Sequence, residues 1–107
     1  ILPLEDLDIL ILNAETLFPS VVNQWIKLYP NIPIVNTYGI TETSDDLSHF
    51  IIKESITTET TPVGKRPIQN IEIHIVDPFL KRVPIGVTGE IIIAGQGVGR
   101  GYLNDKE

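Results

Sequence analysis

Apolar residues first appear as a short unbroken run, Ile9 to Leu12, closed by Asp8 on one side and Asn13 on the other. Such a run predicts a buried strand of the parallel-sheet kind. After the break Asn13-Ala14-Glu15-Thr16, Pro19 stands where a first-turn proline suits a helix. Val21, Val22, Trp25, Leu28 and Tyr29 then recur at helical spacing on one face. Tyr29-Pro30-Asn31 is expected to end that helix, because proline disfavours helical geometry in the preceding residue and has no amide hydrogen to donate. Ile32, Ile34 and Val35 begin a second strand. Strand, helix and strand over about thirty residues make a βαβ unit. Ligands of such sheets meet the loops beyond the carboxyl ends of the strands, here residues 13–17 and 36–46.

From Leu47 the pattern changes. Leu47 to Ile52 predicts a strand, residues 53–70 are polar with prolines, and Ile71, Ile73 and Ile75 alternate with polar neighbours as a half-buried strand does. Asp77-Pro78 and Pro84-Ile85-Gly86 predict turns, and Glu90 to Ala94 a further strand. The expected fold class is α/β: a βαβ sheet segment over 1–52, carrying the ligand loops, followed by a mostly antiparallel β segment over 53–107 of distorted-barrel type. There is no internal repeat.

Composition narrows the function. Of 107 residues, 42% are hydrophobic and 21% charged, which is ordinary globular usage. The absence of cysteine removes disulfides, thiolate metal sites and thiol nucleophiles, and fits a reducing cytoplasm, the expected location. No run approaches the ~18 apolar residues of a membrane span, so no membrane partner is expected. The net charge of −6 lies entirely in residues 1–54, and the bases that follow come as separated pairs, Lys65-Arg66 and Lys81-Arg82. This argues against a nucleic-acid surface. ATP remains compatible, since oriented backbone amides and a few side chains bind it with magnesium.

The stretch richest in chemistry is Asn36-Thr37-Tyr38-Gly39-Ile40-Thr41-Glu42, read as leaving a strand and entering a loop. It offers an aromatic to stack on a base, a glycine that lets backbone approach a ligand, a hydroxyl for phosphate oxygen and a carboxylate for magnesium. From residue types alone, a tight turn with no ligand stands beside this reading.

NTYGITE resembles the NxYGPTE motif of nonribosomal-peptide-synthetase adenylation domains, in the acyl-adenylate-forming superfamily that also holds acyl-CoA ligases and luciferases. GEIIIAGQGVGRGYLND resembles that family's GELxIxGxGxARGYLN segment, PVGKRPIQNIEIHIVD joins the two in family style, and DILILNAETL looks like LxxGGEAL. The resemblance covers nearly the whole chain and implies part of the large N-terminal subdomain of such an enzyme. The implied reaction activates an amino-acid carboxylate with ATP and loads the acyl group onto the phosphopantetheine of a peptidyl carrier domain.

By the same resemblance, Tyr38 would stack on adenine, Asn36 would hydrogen-bond the base beside Gly39, Thr41 would meet the α-phosphate and Glu42 would bind Mg2+, making Thr41 and Glu42 the catalytic pair. Substrate-lining positions carried over are Ile11, Asn13, Thr37, Asp45 and Asp46. Two carboxylates in a partly dehydrated pocket would favour a cationic or hydrogen-bond-donating substrate group. A solvated acidic loop is the competing reading. Glu42, Asp45 and Asp46 also admit a self-contained hard-cation site, though their spacing fits no EF-hand.

Gly95, Gly97, Gly99 and Gly101 fail the dinucleotide-loop pattern because Arg100 stands at the third glycine, so they are expected to serve turns, with Arg100 making local hydrogen bonds. His49 and His74 are expected to be ordinary strand residues. Two departures from the family pattern stand out: Ile40 replaces a proline, and Asn13-Ala14 replaces paired glycines, adding side chains where glycine leaves room. The family's Gly/Ser/Thr-rich phosphate loop, its ribose-binding motif and its catalytic lysine are not in these residues. The remainder of the adenylation domain is therefore an expected partner, and the isolated segment is expected to be inactive. A fragment of an acyl- or aryl-CoA ligase, or a noncatalytic interaction fragment of the same fold, are the alternatives.

Overall fold

The computed structural model describes residues 3–104. Strand β1 (Leu10–Leu12) leads into helix α1 (Pro19–Leu28), strand β2 (Ile34–Ile40), a single 3-10 turn (Thr41–Thr43) and strand β3 (Asp45–Ile52). Strands β4 (Ile71–Val76) and β5 (Glu90–Gly95) follow. Sheet order is β1-β2-β3, with β1 parallel to β2 and β3 antiparallel to it.

The strand–helix–strand unit forms where the apolar pattern places it. Pro19 opens α1, and the backbone N–H of Tyr29 closes it on the Trp25 carbonyl at 2.8 Å. Trp25 then donates its indole N–H to the Ile32 carbonyl at 3.0 Å, tying the helix end to the approach to β2. The buried stripe differs from the expected one. Val22 is fully buried with Trp25 and Ile26 beside it, whereas Val21 and Leu28 are exposed. The β-sheet meets only the stripe centred on Val22, which is narrower than the set of apolar residues on the helix.

Sheet register explains the core. Leu10, Ile34 and Ile52 stand side by side across the three strands, and Leu12, Asn36 and Phe50 form the next row. Paired positions share a face, and the apolar members of both rows pack with Val22, Trp25 and Ile26. Val35 and Thr37 therefore belong to the opposite face, because side chains alternate along a strand.

The β-rich segment is antiparallel, as expected, with no closed barrel among the described residues. Among the described residues, β4 and β5 form a separate two-stranded antiparallel sheet. The alternation in β4 holds at Ile71, which is buried, but at its far end Val76 is buried while Ile75 is exposed. A two-stranded sheet covers little of its own surface. The radius of gyration, 16.7 Å, exceeds the roughly 13 Å of a compact domain this size. The expected turns are present: the Asp77 carboxylate accepts from the amides of Phe79 and Lys81, and the Val87 amide donates to the Pro84 carbonyl.

Candidate nucleotide and substrate site

NTYGITE does not leave its strand for a loop as expected: β2 continues through Ile40 and the chain turns only at Thr41–Thr43. β3 likewise begins at Asp45, two residues before the expected Leu47. The cause is an antiparallel return: β3 pairs with β2 along its whole length, with one register shift between Tyr38 and Gly39. The Thr43 hydroxyl donates to the Ile40 carbonyl at 3.0 Å and closes the turn, while Ser44 and Asp45 both take positive φ to re-enter the sheet.

Gly39 has a different reason from the one expected. A Cβ built on it would coincide with the Asp45 carbonyl oxygen, so the position is glycine because β3 backbone crosses it there. The close approach is to the protein's own chain.

At the carboxyl end of the sheet lies a cavity of about 330 Å³, walled by residues 13–18, by Asn36, Thr37, Tyr38 and Gly39, and by Glu59, Thr60, Thr61 and Val63. Asn36 is buried and donates its side-chain N–H to the Pro62 carbonyl at 2.9 Å, which anchors the wall over the strand. The Thr61 hydroxyl is buried, makes no hydrogen bond and belongs to a residue that lines this cavity. A buried polar group without a partner is costly and marks a place where a ligand or water completes it. Thr37 is buried and donates to the Leu12 carbonyl at 3.4 Å.

A second, more open cavity of about 440 Å³ is lined by Asn13, Ala14, Gly39, Ile40, Thr41 and Asp45. Asn13 spans it: its side-chain N–H donates to Asp45 Oδ1 at 3.2 Å, while its Oδ1 accepts from the Ala14 amide at 2.6 Å. Ala14, at a position where the family carries glycine, sits at φ 76°, a left-handed conformation that strains any residue with a Cβ.

The remaining site residues do not converge on either cavity. Ile11 is 62% exposed on the free side of β1. Asp46 turns to His49, with Oδ2 and Nε2 3.1 Å apart, and its Oδ1 is buried without a partner. The two aspartates thus face different neighbours rather than one shared pocket. Glu42, Asp45 and Asp46 do not form a three-carboxylate cation cluster either, since Glu42 turns to Tyr102.

That last contact joins the two motifs. The Tyr102 hydroxyl donates to Glu42 Oε1 at 3.0 Å, and the Gly99 amide donates to the Glu42 carbonyl at 2.7 Å. Accepting the phenol's hydrogen, the Glu42 carboxylate raises the Tyr102 pKa above the ordinary tyrosine value. The phenol therefore stays a neutral donor through neutral pH, and its bond to the carboxylate is lost as pH rises through that raised value. The expectation that the glycines serve turns holds only in part. Gly95 does take positive φ, but Gly97 and Gly99 admit the turn's own backbone: a Cβ on them would stand 2.9 Å from the Thr43 carbonyl oxygen and 3.1 Å from that of Glu42.

The profile of the AMP-binding enzyme family matches residues 3–103. The chain belongs to that family. It is 41% identical over 106 residues to bacitracin synthase 1 of Bacillus licheniformis and 39% identical over 104 residues to malpinin synthetase of Mortierella alpina. Each match covers 95% of this chain, but only 2% and 1% of those proteins. Among solved structures, the N-terminal subdomain of Klebsiella oxytoca NpsA in complex with 3-hydroxybenzoyl-AMSN superposes with a TM-score of 0.79 at 28% identity, covering 92% of this chain and 25% of that one. NpsA also superposes at 0.79 as an artificial adenylation–PCP di-domain of nonribosomal peptide synthetase type, of which this chain covers 18%. The chain is thus a segment of peptide-synthetase adenylation-domain fold, and it superposes within the N-terminal subdomain of NpsA. No helix of its described residues is long and apolar enough to cross a membrane.

Proposed function

We propose that this segment supplies part of the ATP and substrate sites of a domain that activates an amino acid as its adenylate and passes it to a carrier protein. The observation that carries the reading is the division of labour around one turn. Tyr38 lines a cavity with an unpartnered hydroxyl, Thr61, in its wall, and Thr41 and Glu42 follow on the adjoining turn, Thr41 lining a second cavity.

The donor set suits the ligands. Tyr38 offers a ring for adenine, and Asn36, whose N–H is committed to Pro62, offers its carbonyl oxygen to an exocyclic amine. Glu42 is exposed and has one oxygen bound to Tyr102, leaving Oε2. One or two carboxylates beside phosphate oxygens are the usual protein share of a magnesium site, because Mg2+ keeps several waters, so Glu42 would suffice to hold it. When bound, magnesium supplies charge neutralisation at the phosphates.

The chain's own residues position the reaction. The substrate carboxylate attacks the α-phosphorus of ATP, the bond to the β-phosphate oxygen breaks, and pyrophosphate leaves. Thr41 donates its hydroxyl to an α-phosphate oxygen as charge gathers there. The carrier's phosphopantetheine thiol then displaces AMP from the acyl carbon. Asn13, Asp45 and Thr41 around the second cavity frame the substrate, and Thr37 lines the neighbouring first cavity; Asn13 and Asp45 favour a polar or cationic side chain. The apolar residues left exposed on β1 and on the β4–β5 sheet are surfaces for the remainder of the domain.

Thioester loading tests the reading against a CoA ligase. With the native protein that contains this segment, labelled amino acid is expected on holo-carrier protein and not on free CoA. CoA thioester with an unlabelled carrier would replace the proposal by the ligase reading.

A further inference from the structure

The second glycine-rich stretch has no part in the chemistry above, yet it closes on the one carboxylate that chemistry assigns to magnesium. Glu42 is held at two atoms, its carbonyl oxygen by the Gly99 amide at 2.7 Å and its Oε1 by the Tyr102 hydroxyl at 3.0 Å. The same stretch grips the next residue but one, where the Ser44 hydroxyl donates to the Gly97 carbonyl at 2.9 Å. Missing side chains ease the fit: a Cβ on Gly97 would crowd Ile71 and the Thr43 carbonyl, and one on Gly99 would press more mildly on the carbonyl of Glu42.

We propose that Tyr102 is a positioning residue for Glu42, fixing one carboxylate oxygen so that the other is presented to a divalent cation that arrives with nucleoside triphosphate. The inference rests on the nucleotide reading given above. An exposed glutamate on a single 3-10 turn has several side-chain rotamers, and ordering them opposes cation binding. The phenol removes part of that freedom beforehand. It does so as a neutral donor, so it orients the carboxylate through a charge-assisted hydrogen bond without cancelling the charge the cation needs. A lysine or arginine at the same place would compete with the cation for it. Hydrogen-bonding partners of metal-ligating groups commonly contribute about 10- to 100-fold to metal affinity.

Tyr102→Phe removes only the hydroxyl from an exposed ring, so the variant keeps the fold. The test is Mn2+ binding in the presence of ATP, followed by electron paramagnetic resonance on the native protein, with ATP binding measured separately without metal. The half-saturating Mn2+ concentration is expected to rise about 10-fold or more in Tyr102→Phe, with metal-free ATP binding unchanged. In a Glu42→Ala background, Tyr102→Phe is expected to add nothing. An unchanged Mn2+ midpoint, or the same loss with and without Glu42, overturns the positioning role while leaving the nucleotide reading intact. A wild-type protein that binds no ATP overturns both.

Discussion

Gly39→Ala is expected to destabilise the protein by about 3 kcal/mol or more, because the added methyl would occupy the place of the Asp45 carbonyl oxygen. Nothing flexible stands there to move aside. β2 and β3 would have to separate at the register shift between Tyr38 and Gly39, which would also displace the turn that carries Thr41 and Glu42. Gly86 is the control: it has positive φ but no atom within 4 Å of a built Cβ. Gly86→Ala should cost only the roughly 1–2 kcal/mol of a left-handed residue. Urea unfolding of the two variants measures the difference, and a Gly39→Ala protein as stable as Gly86→Ala would contradict the crossing of the strands.

Tyr38→Ala and Glu42→Ala are expected to separate binding from chemistry. Tyr38 belongs to the strand face directed at α1 and lines the first cavity, so its loss should raise the Kd for ATP by about 10-fold or more, the usual worth of a base-stacking ring. Glu42 lies outside that cavity on the following turn. Its loss should slow adenylate formation by about 100-fold, as removal of a group that stabilises transition-state charge commonly does, with a smaller change in ATP affinity. Equilibrium ATP binding and single-turnover adenylate formation read the two effects. Equal effects of both substitutions on both quantities would sink the division of roles.

Much of this is legible in the sequence. The βαβ unit follows from the run Ile9–Leu12, the proline at the helix start and the apolar return at Ile34, each a local signal, although the run is not the buried strand it suggests, because β1 is an edge strand with Ile11 exposed. The chemistry of NTYGITE is also readable, because residue types persist whatever the backbone does. Its conformation is not. That the stretch runs on as a strand depends on pairing with β3, and nothing local in Tyr38-Gly39-Ile40 announces that partner. The role of Gly39 is hidden for the same reason: a glycine reports a close approach but not what approaches. The Tyr102–Glu42 bond joins residues 60 positions apart, beyond any periodicity, and only the resemblance of two motifs to one family puts them in a single enzyme. No sequence signal singles out Thr61, which stands in the cavity wall because Asn36 holds its neighbour Pro62.

Carboxylate adenylation underlies every role assigned above, and amino-acid-dependent ATP–pyrophosphate exchange reads it out. The assay takes the native protein that contains this segment and a panel of basic, polar, aromatic and aliphatic amino acids. Exchange is expected to require magnesium and to be strongest with a polar or basic amino acid, as Asn13 and Asp45 at the second cavity favour. Exchange confined to aliphatic or aromatic acids would contradict the substrate class, and a folded protein silent across the panel would contradict amino-acid adenylation itself.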